Sequence, residues 1–322
     1  MIRNKKIAVV VPAYNEEHLI AETLLGIPKF VDRIIVVNDA SQDSTAKIIN
    51  KLKKKNKRII HIEHKKNKGL GASLSDGYLK SMELRYNITA VMAGDNQMDP
   101  NDLKNVVMPI VEGEVDYVKG NRLFANDVAK VMPRYRLVGN AIATFLTKFA
   151  TGYWGVLDPQ CGYTAISRRA LERINIKTLK KGYGYNADIL TRLNIFNFRI
   201  ADAEVKPVYG REKSGIKFFR YVVDVCWFLL KLFIKRLWQK YVVRDFHPLV
   251  FFYLMSFTNL ILVALPLLIR FFYMYIKYGL APQTTLIILT FSATIGFFSF
   301  FFATWMDMES NKSLMLKSSD KI

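Results

Sequence analysis

The first 110 residues alternate short apolar runs with longer amphipathic stretches, and this alternation limits the fold more than any other feature of the chain. Short apolar runs predict buried strands, and the stretches between them predict helices. Strand–helix alternation is typical of an α/β domain with a mainly parallel sheet and helices on both faces. The predicted strands are 7–11, 33–37, 59–62 and 88–92, and the predicted helices are 16–25, 44–54 and 70–84.

Polar residues follow three of these strands, where each strand ends. Pro12-Ala13-Tyr14-Asn15-Glu16 follows the first strand, Asn38-Asp39-Ala40-Ser41 the second, and Asp95 the fourth. Ligands of open α/β sheets bind beyond the carboxyl ends of the strands, so we expect a binding site at this edge. A dinucleotide fingerprint is excluded because Leu74 occupies the position of the third glycine after Gly69-Leu70-Gly71, and no P-loop is present.

The turn after the fourth strand carries the candidate metal ligands Asp95 and Gln97. Carboxylate and amide oxygens suit a hard divalent ion, Mg²⁺ or Mn²⁺, which usually shares its coordination shell with substrate phosphates. The alternative is an acidic surface turn with a helix cap, since Asp99-Pro100 is a common helix start. This turn alone does not decide between the two interpretations.

Two apolar segments near the C-terminus, 249–276 and 284–305, are each long enough for the roughly 20 residues that cross a bilayer core. The alternative is a pair of buried helices in a soluble core. We predict a transmembrane hairpin with a tight turn at 277–282. Residues 218–241 are aromatic, basic and helical in pattern, which predicts a helix on the membrane surface or one packed on the catalytic domain.

The formal net charge is +20, but its distribution argues against nucleic-acid binding. A basic cluster precedes the first apolar segment, and such clusters attract anionic lipid head groups and mark the cytoplasmic side. Both termini are therefore expected in the cytoplasm, and Cys161 and Cys226 alone give neither a metal spacing nor a disulfide framework. The basic cluster comprises Lys213, Lys217, Arg220, Lys231, Lys235, Arg236, Lys240 and Arg244.

Four ordered motifs resemble those of the family 2 inverting glycosyltransferases with the GT-A fold. With the two apolar segments, they make the chain similar to the polyprenyl-phosphate glycosyltransferases, which include dolichyl-phosphate mannose and glucose synthases. The ordered set is more specific than any single motif. The motifs are Pro12-Ala13-Tyr14-Asn15-Glu16, the stretch 37–45 around Asp39, Asn67-Lys68-Gly69-Leu70-Gly71-Ala72, and Asp95-Asn96-Gln97-Met98-Asp99-Pro100.

The resemblance implies a nucleotide site and a metal. Tyr14 and Glu16 would lie against the nucleoside, Asp39 would accept from the base edge, and the Gly69 turn would approach the nucleotide closely. Pro12 and Asp95 complete the implied nucleotide-binding set, and Asp95 with Gln97 would hold Mg²⁺ or Mn²⁺. The chain departs from the family in one respect, because Ala93 stands where Asp-x-Asp often has its first carboxylate.

The resemblance also implies an acceptor side between residues 116 and 220. Lys119-Gly120-Asn121-Arg122 resembles the family's Gly-x-Arg turn, and 211–217 resembles a loop that closes over phosphates. Asp158-Pro159-Gln160-Cys161-Gly162-Tyr163 resembles the floor of the sugar pocket, and Asp188 falls in a later acidic motif. The implied catalytic residues are Asp95, Arg122, Arg136 and Arg211, and those for acceptor phosphate or sugar are Arg122, Arg134, Arg136, Asp158 and Lys217.

The expected activity is transfer of a sugar from a nucleotide diphosphate sugar, UDP-glucose or UDP-N-acetylglucosamine before GDP-mannose, to polyprenyl phosphate with inversion. The rivals are a processive polysaccharide synthase, whose Gln-x-x-Arg-Trp motif is missing, and a non-catalytic membrane scaffold. Membrane lipids are expected partners, and homo-oligomerisation is left open. The histidines are interpreted as structural or surface residues. The predicted domains are a GT-A catalytic domain (1–217), a juxtamembrane helix (218–246), two spans (247–307) and a cytoplasmic tail (308–322).

Overall fold

The computed structural model describes residues 1–122, 134–182, 184–206 and 218–316, with only the backbone described for 134–140 and 218–223. The chain divides into two compact units. Unit 1 runs from Met1 to Phe233 and includes the described residues from Ser313 onward, and unit 2 is Ile234–Lys312. The domain limits given above remain a prediction.

Unit 1 is built on one sheet of eight strands in the order β3-β2-β1-β4-β6-β5-β7-β8. Its neighbouring strands pair in parallel except at β6, which is antiparallel to both β4 and β5. This confirms the predicted α/β fold with a mainly parallel sheet. The strands are β1 (Ile7–Ala13), β2 (Arg33–Asn38), β3 (Ile59–Glu63), β4 (Ile88–Val91), β5 (Tyr117–Asn121), β6 (Thr164–Ser167), β7 (Ile200–Glu204) and β8 (Met315–Leu316).

Helices connect these strands, and the sheet buries apolar side chains on both of its faces. Along β1, Val9 and Val11 pack into one core and Ala8 and Val10 into the other, as expected when successive residues point to opposite faces. The helices of unit 1 are α1 (Ile20–Gly26), α2 (Thr45–Lys55), α3 (Leu70–Glu83), α4 (Leu103–Val111), α5 (Arg134–Thr151), α6 (Arg168–Arg173), α7 (Tyr185–Ile195) and most of α8 (Phe218–Arg236).

The first helix begins at Ile20, four residues later than the sequence pattern predicts. The backbone amides of Asn15, Glu16 and Glu17 do not bond within a helix. They donate to the side chains of Ser41 (3.0 Å), Thr45 (2.8 Å) and Asp43 (3.1 Å), respectively. These bonds satisfy the amides locally and tie the loop after β1 to the loop after β2.

Residues 313–316 pack with unit 1. Met315 and Leu316 form β8 and pair in parallel with Ile200 and Ala201 of β7. Leu314 is buried in one of the two cores of unit 1. Met315 and Leu316 therefore extend the sheet of unit 1, and Leu314 anchors them in its core.

Two helical segments, Leu249–Tyr278 and Gln283–Leu314, are long and apolar enough to cross a membrane, and all but the last two residues of the second lie in unit 2. Gly279 ends the first at a φ of 63°, a left-handed conformation that glycine adopts readily. Large apolar side chains are exposed along both segments, Ile276 at 81%. The segments comprise α9 (Leu249–Phe257), a π-helical stretch (Thr258–Ala264), α10 (Leu265–Tyr278) and α11 (Gln283–Asn311), with a further π-helical stretch, Leu237–Val242, before them.

Two members of the predicted lipid-facing basic cluster are buried inside unit 2. The guanidinium group of Arg236 makes two hydrogen bonds to the carboxylate of Asp307, over 2.7 and 2.9 Å, and both side chains are fully buried. Lys240 donates to Asn311 Oδ1 over 2.7 Å. The expectation that Arg236 and Lys240 face lipid head groups is therefore wrong, because each is paired with a residue of α11.

Candidate active site

Three loops meet at the carboxyl edge of the sheet. The amide of Asp39 donates to the carbonyl oxygen of Ala13 over 2.9 Å, and the amide of Gly94 donates to that of Pro12 over 3.1 Å. The Thr23 hydroxyl also donates to the carbonyl oxygen of Gly94. The structure thus brings together the loops that follow β1, β2 and β4, as the sequence motifs predict.

A groove of roughly 670 Å³ opens beside Tyr14, whose side chain is 45% exposed. A groove of this size matches the range of small-molecule sites in proteins, about 300–1,000 Å³. Its walls come from the ends of β1, β2 and β3, so it has the position expected of a nucleotide site in an α/β sheet. The lining residues are Tyr14, Ala40, Ser41, Gln42, Glu63, His64, Lys65, Lys66 and Asn67.

Asp39 organises the loops beneath this groove. Its carboxylate accepts hydrogen bonds from the amide of Lys68 (2.9 Å) and the amide of Gly69 (2.8 Å), and it lies 2.6 Å from Nδ1 of His64. Burial raises the pKa of Asp39, but the hydrogen bonds from His64, Lys68 and Gly69 outweigh burial and lower that pKa below its ordinary value. The side chain is therefore an ionised acceptor that is already held by its own chain.

Sequence reasoning missed the part that His64 plays in this network. The ring is buried, with Nδ1 facing Asp39 and Nε2 2.9 Å from Oδ2 of Asp76. An imidazole can donate to two carboxylates at once only when both nitrogens carry protons. The one signal in the sequence was the position of His64 directly after β3, at the same sheet edge as Asp39.

Gly69 and Gly71 are required by close backbone packing. The amide of Gly71 donates to the carbonyl oxygen of Lys181 over 2.7 Å, and a Cβ atom on Gly71 would lie 1.9 Å from the carbonyl oxygen of Lys180. Asp188 holds this partner segment by accepting from the amide of Lys180 and pairing with Arg192. The glycine turn is thus fixed against residues 180–181, and Gly69 also donates to Asp39.

The Asp95 turn lies at the end of β4. Oδ1 of Asp95 accepts from the amide of Gln97 over 3.1 Å, and burial raises the pKa of Asp95 above its ordinary value. A half-buried carboxylate gains from a nearby cation, so Asp95 fits a divalent metal. The described residues contain no cluster of three or more His, Cys, Asp or Glu side chains suited to a metal. The described carboxylates alone therefore do not make up a metal site, and Asp95 with Gln97 as metal ligands remains a prediction.

Arg122 and Asp158 form a bidentate ion pair at the end of β5. Nε and one terminal nitrogen of Arg122 bond the two carboxylate oxygens of Asp158, over 2.7 and 3.2 Å. Asp158 is buried, whereas 44% of the Arg122 side chain is exposed. This geometry fixes the plane of a guanidinium group that still reaches solvent, an arrangement suited to binding a phosphate.

The Asp95 turn and the Asp158 segment are in direct contact. The Tyr163 hydroxyl donates to the carbonyl oxygen of Asp99 over 3.0 Å. A Cβ atom on Gly162 would lie 3.2 Å from the terminal methyl of Met98, so these two segments touch there as well. The residues predicted for the metal and for the acceptor therefore lie on neighbouring segments.

The structure does not describe the side chains of four other predicted site residues. Arg134 and Arg136 lie in the first turn of α5, where only the backbone is described. Arg211 and Lys217 lie outside the described residues. Their roles remain predictions. The backbone amide of Glu16 donates a hydrogen bond to the Thr45 hydroxyl, which fixes Glu16 in the loop after β1.

Comparison with known proteins identifies relatives of this chain. UDP-N-acetylglucosamine–dolichyl-phosphate N-acetylglucosaminyltransferase of Methanococcus voltae is 31% identical over 219 residues, covering 64% of this chain and 87% of that protein. Polyprenol monophosphomannose synthase of Mycolicibacterium smegmatis is 26% identical over 219 residues, covering 65% and 78%. Dolichyl-phosphate beta-glucosyltransferase of Dictyostelium discoideum is 26% identical over 219 residues, covering 63% and 67%.

A solved structure shares the fold. Glucosyl-3-phosphoglycerate synthase from Mycobacterium tuberculosis, in complex with Mn²⁺, UDP and phosphoglyceric acid, matches with a TM-score of 0.53 and 19% identity. The match covers 72% of this chain and 78% of that one. This agrees with a GT-A type of sheet. The family model described as glycosyl transferase family 2 matches residues 8–174, more than half of the 322 residues. The chain therefore belongs to glycosyl transferase family 2 and is a glycosyltransferase.

Proposed function

We propose that this protein transfers a sugar from a nucleotide diphosphate sugar to a polyprenyl phosphate, with inversion at the anomeric carbon. The product is a lipid-phosphate-linked sugar donor for glycosylation. The observation that carries the proposal is the bond between Tyr163 and Asp99, because it joins the turn proposed for the donor diphosphate to the segment bearing Asp158 and its partner Arg122. Two anionic reactants can then meet between these segments.

The nucleoside occupies the groove beside Tyr14 in this proposal. Tyr14 lines this groove, and Glu16, Pro12, Asp39 and Gly69 are proposed to contact the nucleotide from the adjoining loops. Oδ2 of Asp39 accepts one described hydrogen bond, from Gly69, and a carboxylate offers about four acceptor positions in all. One further bond from a base N–H is therefore compatible with the network.

Asp95 and Gln97 hold Mg²⁺ or Mn²⁺ together with the diphosphate of the donor. When bound, the ion neutralises the charge that develops on the departing diphosphate. Arg211 is proposed to contact the same phosphates. Ala93 leaves a single carboxylate in the motif, so the free protein is expected to bind the ion weakly and the nucleotide complex to bind it more tightly.

Arg122 orients the acceptor phosphate, with Arg134, Arg136 and Lys217 as further candidates and Asp158 as the group that fixes Arg122. A phosphate monoester has a second pKa of about 6, so it is largely ionised at neutral pH. It can therefore attack the anomeric carbon without giving a proton to a general base.

The names of the relatives guide the choice of donor. The M. voltae relative is named for UDP-N-acetylglucosamine and dolichyl phosphate, and the D. discoideum relative for dolichyl phosphate and glucose. We propose UDP-N-acetylglucosamine or UDP-glucose as the donor. GDP-mannose is the second candidate, because the M. smegmatis relative is named a polyprenol monophosphomannose synthase.

We propose that the two apolar segments of unit 2 anchor the enzyme in a membrane as a two-span hairpin. Lys277 is the one charged residue at 277–282, whereas basic residues are numerous before the first segment. By the positive-inside rule, the catalytic domain and both termini are then cytoplasmic. Membrane lipids and the polyprenyl phosphate are the proposed partners, with homo-oligomerisation left open.

A donor panel tests this function. The full chain in lipid vesicles with polyprenyl phosphate is given each radiolabelled nucleotide sugar in turn, with Mg²⁺ or Mn²⁺. We expect label in the lipid extract with one donor, and that label should be absent when the metal is chelated. Long water-soluble products would indicate a polysaccharide synthase, and no incorporation from any donor would indicate a non-catalytic scaffold.

A further inference from the structure

Lys119 is a fully buried lysine within β5, three residues before Arg122. Its Nζ donates a hydrogen bond over 2.6 Å to the carbonyl oxygen of Cys161. Cys161 belongs to the same segment as Asp158, and its amide donates to Oδ1 of Asp158 over 3.1 Å. The lysine therefore holds the segment that carries the partner of Arg122.

Charged and titratable groups face Lys119 from several elements. Asp158 and Cys161 face it from residues 157–161, Asp202 from β7 and Arg122 from the end of its own strand. Asp202 also fixes this segment, because its Oδ2 accepts from the amide of Leu157 (3.0 Å) and from Nδ2 of Asn121 (3.1 Å). Lys148 faces Asp202 from α5. Lys119 and Asp202 thus anchor both ends of residues 157–161.

Stability alone does not explain this lysine. Moving an ammonium group out of water is costly even when it is paired, and an apolar side chain of similar volume is often as stabilising or more so. Tyr117 and Val118, the two preceding residues of β5, are also fully buried and lie in the two apolar cores. We therefore expect the charge of Lys119 to contribute to the function of residues 157–161 rather than to stability.

We propose that Lys119 is a positioning residue for the acceptor phosphate, acting through residues 157–161 and Asp158 to align the guanidinium group of Arg122. This inference rests on the proposed function. Lys119 itself does not touch the substrate. It supplies a buried positive charge and a hydrogen bond that hold Asp158 in the orientation required for its bidentate pair with Arg122.

The same geometry predicts a pH dependence. Burial lowers the pKa of Lys119 from 10.5 to about 8, with Cys161, Asp158 and Asp202 raising it in part and Arg122 lowering it. As the pH rises through about 8, the ammonium group loses its proton and its charge. The acceptor KM of the wild-type enzyme should therefore rise between pH 7 and pH 9, a range in which the acceptor phosphate itself stays ionised.

The test uses Lys119→Met in the full chain, assayed in vesicles with polyprenyl phosphate. We expect the acceptor KM at pH 7 to rise about ten- to hundredfold, as for loss of a hydrogen bond to a charged group. The melting temperature should fall modestly, as for one buried carbonyl oxygen left without its donor. The donor KM should stay unchanged, and the rise of acceptor KM above pH 7 should disappear. A merely structural lysine would instead raise both KM values alike and leave the pH profile unchanged.

Lys148→Met is the matched control, since Lys148 is half-buried and faces Asp202 from another element. Its acceptor KM should stay within about twofold of wild type. The inference is overturned if the acceptor KM of Lys119→Met equals that of the wild type. It is also overturned if the acceptor KM of the wild-type enzyme stays constant from pH 7 to 9, a measurement that does not depend on a variant folding. Absence of transfer by the wild type would overturn the proposed function, and this inference with it.

Discussion

The hydroxyl of Tyr163 donates a hydrogen bond to the backbone carbonyl oxygen of Asp99, over 3.0 Å. Tyr163 follows the segment that carries Asp158, and Asp99 ends the turn that carries Asp95. This bond therefore couples the two segments on which the donor diphosphate and the acceptor phosphate are proposed to lie. Its removal should disturb catalysis more than folding.

Tyr163→Phe tests that coupling. The variant removes one of two donors to a half-buried carbonyl oxygen, since the amide of Asp102 also donates to it, at a stability cost of about 0.5–1.5 kcal/mol. Transfer should fall by about ten- to hundredfold, because small misplacements of reacting groups have effects of that size. Tyr153→Phe is the control: the Tyr153 hydroxyl donates a buried hydrogen bond to the carbonyl oxygen of Phe198, and neither residue belongs to the two coupled segments. Equal activity in the two variants, measured as kcat with both substrates saturating, would contradict the coupling.

Asp95→Ala should abolish transfer while the protein stays folded. It should also remove the rise in melting temperature that UDP with Mn²⁺ gives the wild type, because the ligand-induced shift requires the shared ion. Asp99→Ala is the control: the Asp99 side chain caps the following turn by accepting from Asn101, and its loss should cost about 0.5–2 kcal/mol with most transfer retained. Near wild-type turnover in Asp95→Ala would remove the metal role.

The acid side of the pH profile follows from the same carboxylate. Burial raises the pKa of Asp95 above 3.8, so the group takes up its proton at a higher pH than an exposed aspartate. The donor KM, which does not depend on ionisation of the acceptor phosphate, should therefore rise, as the pH falls, before ordinary carboxylates titrate. Raising the Mn²⁺ concentration should move that rise to lower pH, since the ion competes with the proton. A rise that Mn²⁺ does not move would assign it to another group.

Gly71→Ala should destabilise unit 1, because the added Cβ would lie 1.9 Å from the backbone oxygen of Lys180 and backbone cannot easily yield. We expect a loss of at least about 1–3 kcal/mol, the range for overpacked positions. Gly182→Ala is the control, since a Cβ there meets nothing within 4 Å. Thermal unfolding in detergent measures both, and equal melting temperatures would show that residues 180–181 move aside.

Much of unit 1 was predictable from local pattern. The four N-terminal strands and the polar residues at their ends follow from apolar runs and from the position of ligand sites in parallel sheets. Two features were not predictable, because they depend on distant pairing. β6 pairs in antiparallel orientation between β4 and β5, and β8 comes from the end of the chain.

Some residues of the candidate site could likewise be predicted from the sequence, and others could not. The resemblance to family motifs indicated Asp39, Asp95 and Arg122, and the polar stretches that carry Asp39 and Asp95 also come after predicted strands. His64 and Lys119 carry no motif of their own, and their importance appears only in their contacts with Asp39 and Cys161. The burial of Arg236 was likewise hidden, because its partner Asp307 lies 71 residues away in the sequence.

Asp307→Asn should destabilise unit 2 strongly, because it leaves Arg236 buried without its counter-charge. Breaking a buried ion pair in this way costs about 3–5 kcal/mol, whereas replacing both partners by apolar residues is often neutral. The double variant Arg236→Met with Asp307→Leu should therefore recover much of the loss. Glu309→Gln, which removes an exposed pair with Lys312, should change stability by at most about 0.5 kcal/mol. Thermal inactivation in detergent measures all three.

The most direct test of the central claim compares polyprenyl phosphate with the same polyprenol lacking its phosphate, in vesicles containing the full chain. Labelled UDP-N-acetylglucosamine, UDP-glucose and GDP-mannose are each supplied with Mn²⁺, and the label in the lipid extract is measured. We predict that one donor labels the phosphorylated lipid alone and that Arg122→Ala lowers this labelling about ten- to hundredfold at limiting acceptor. Equal labelling of both lipids, or none with any donor, would contradict the account.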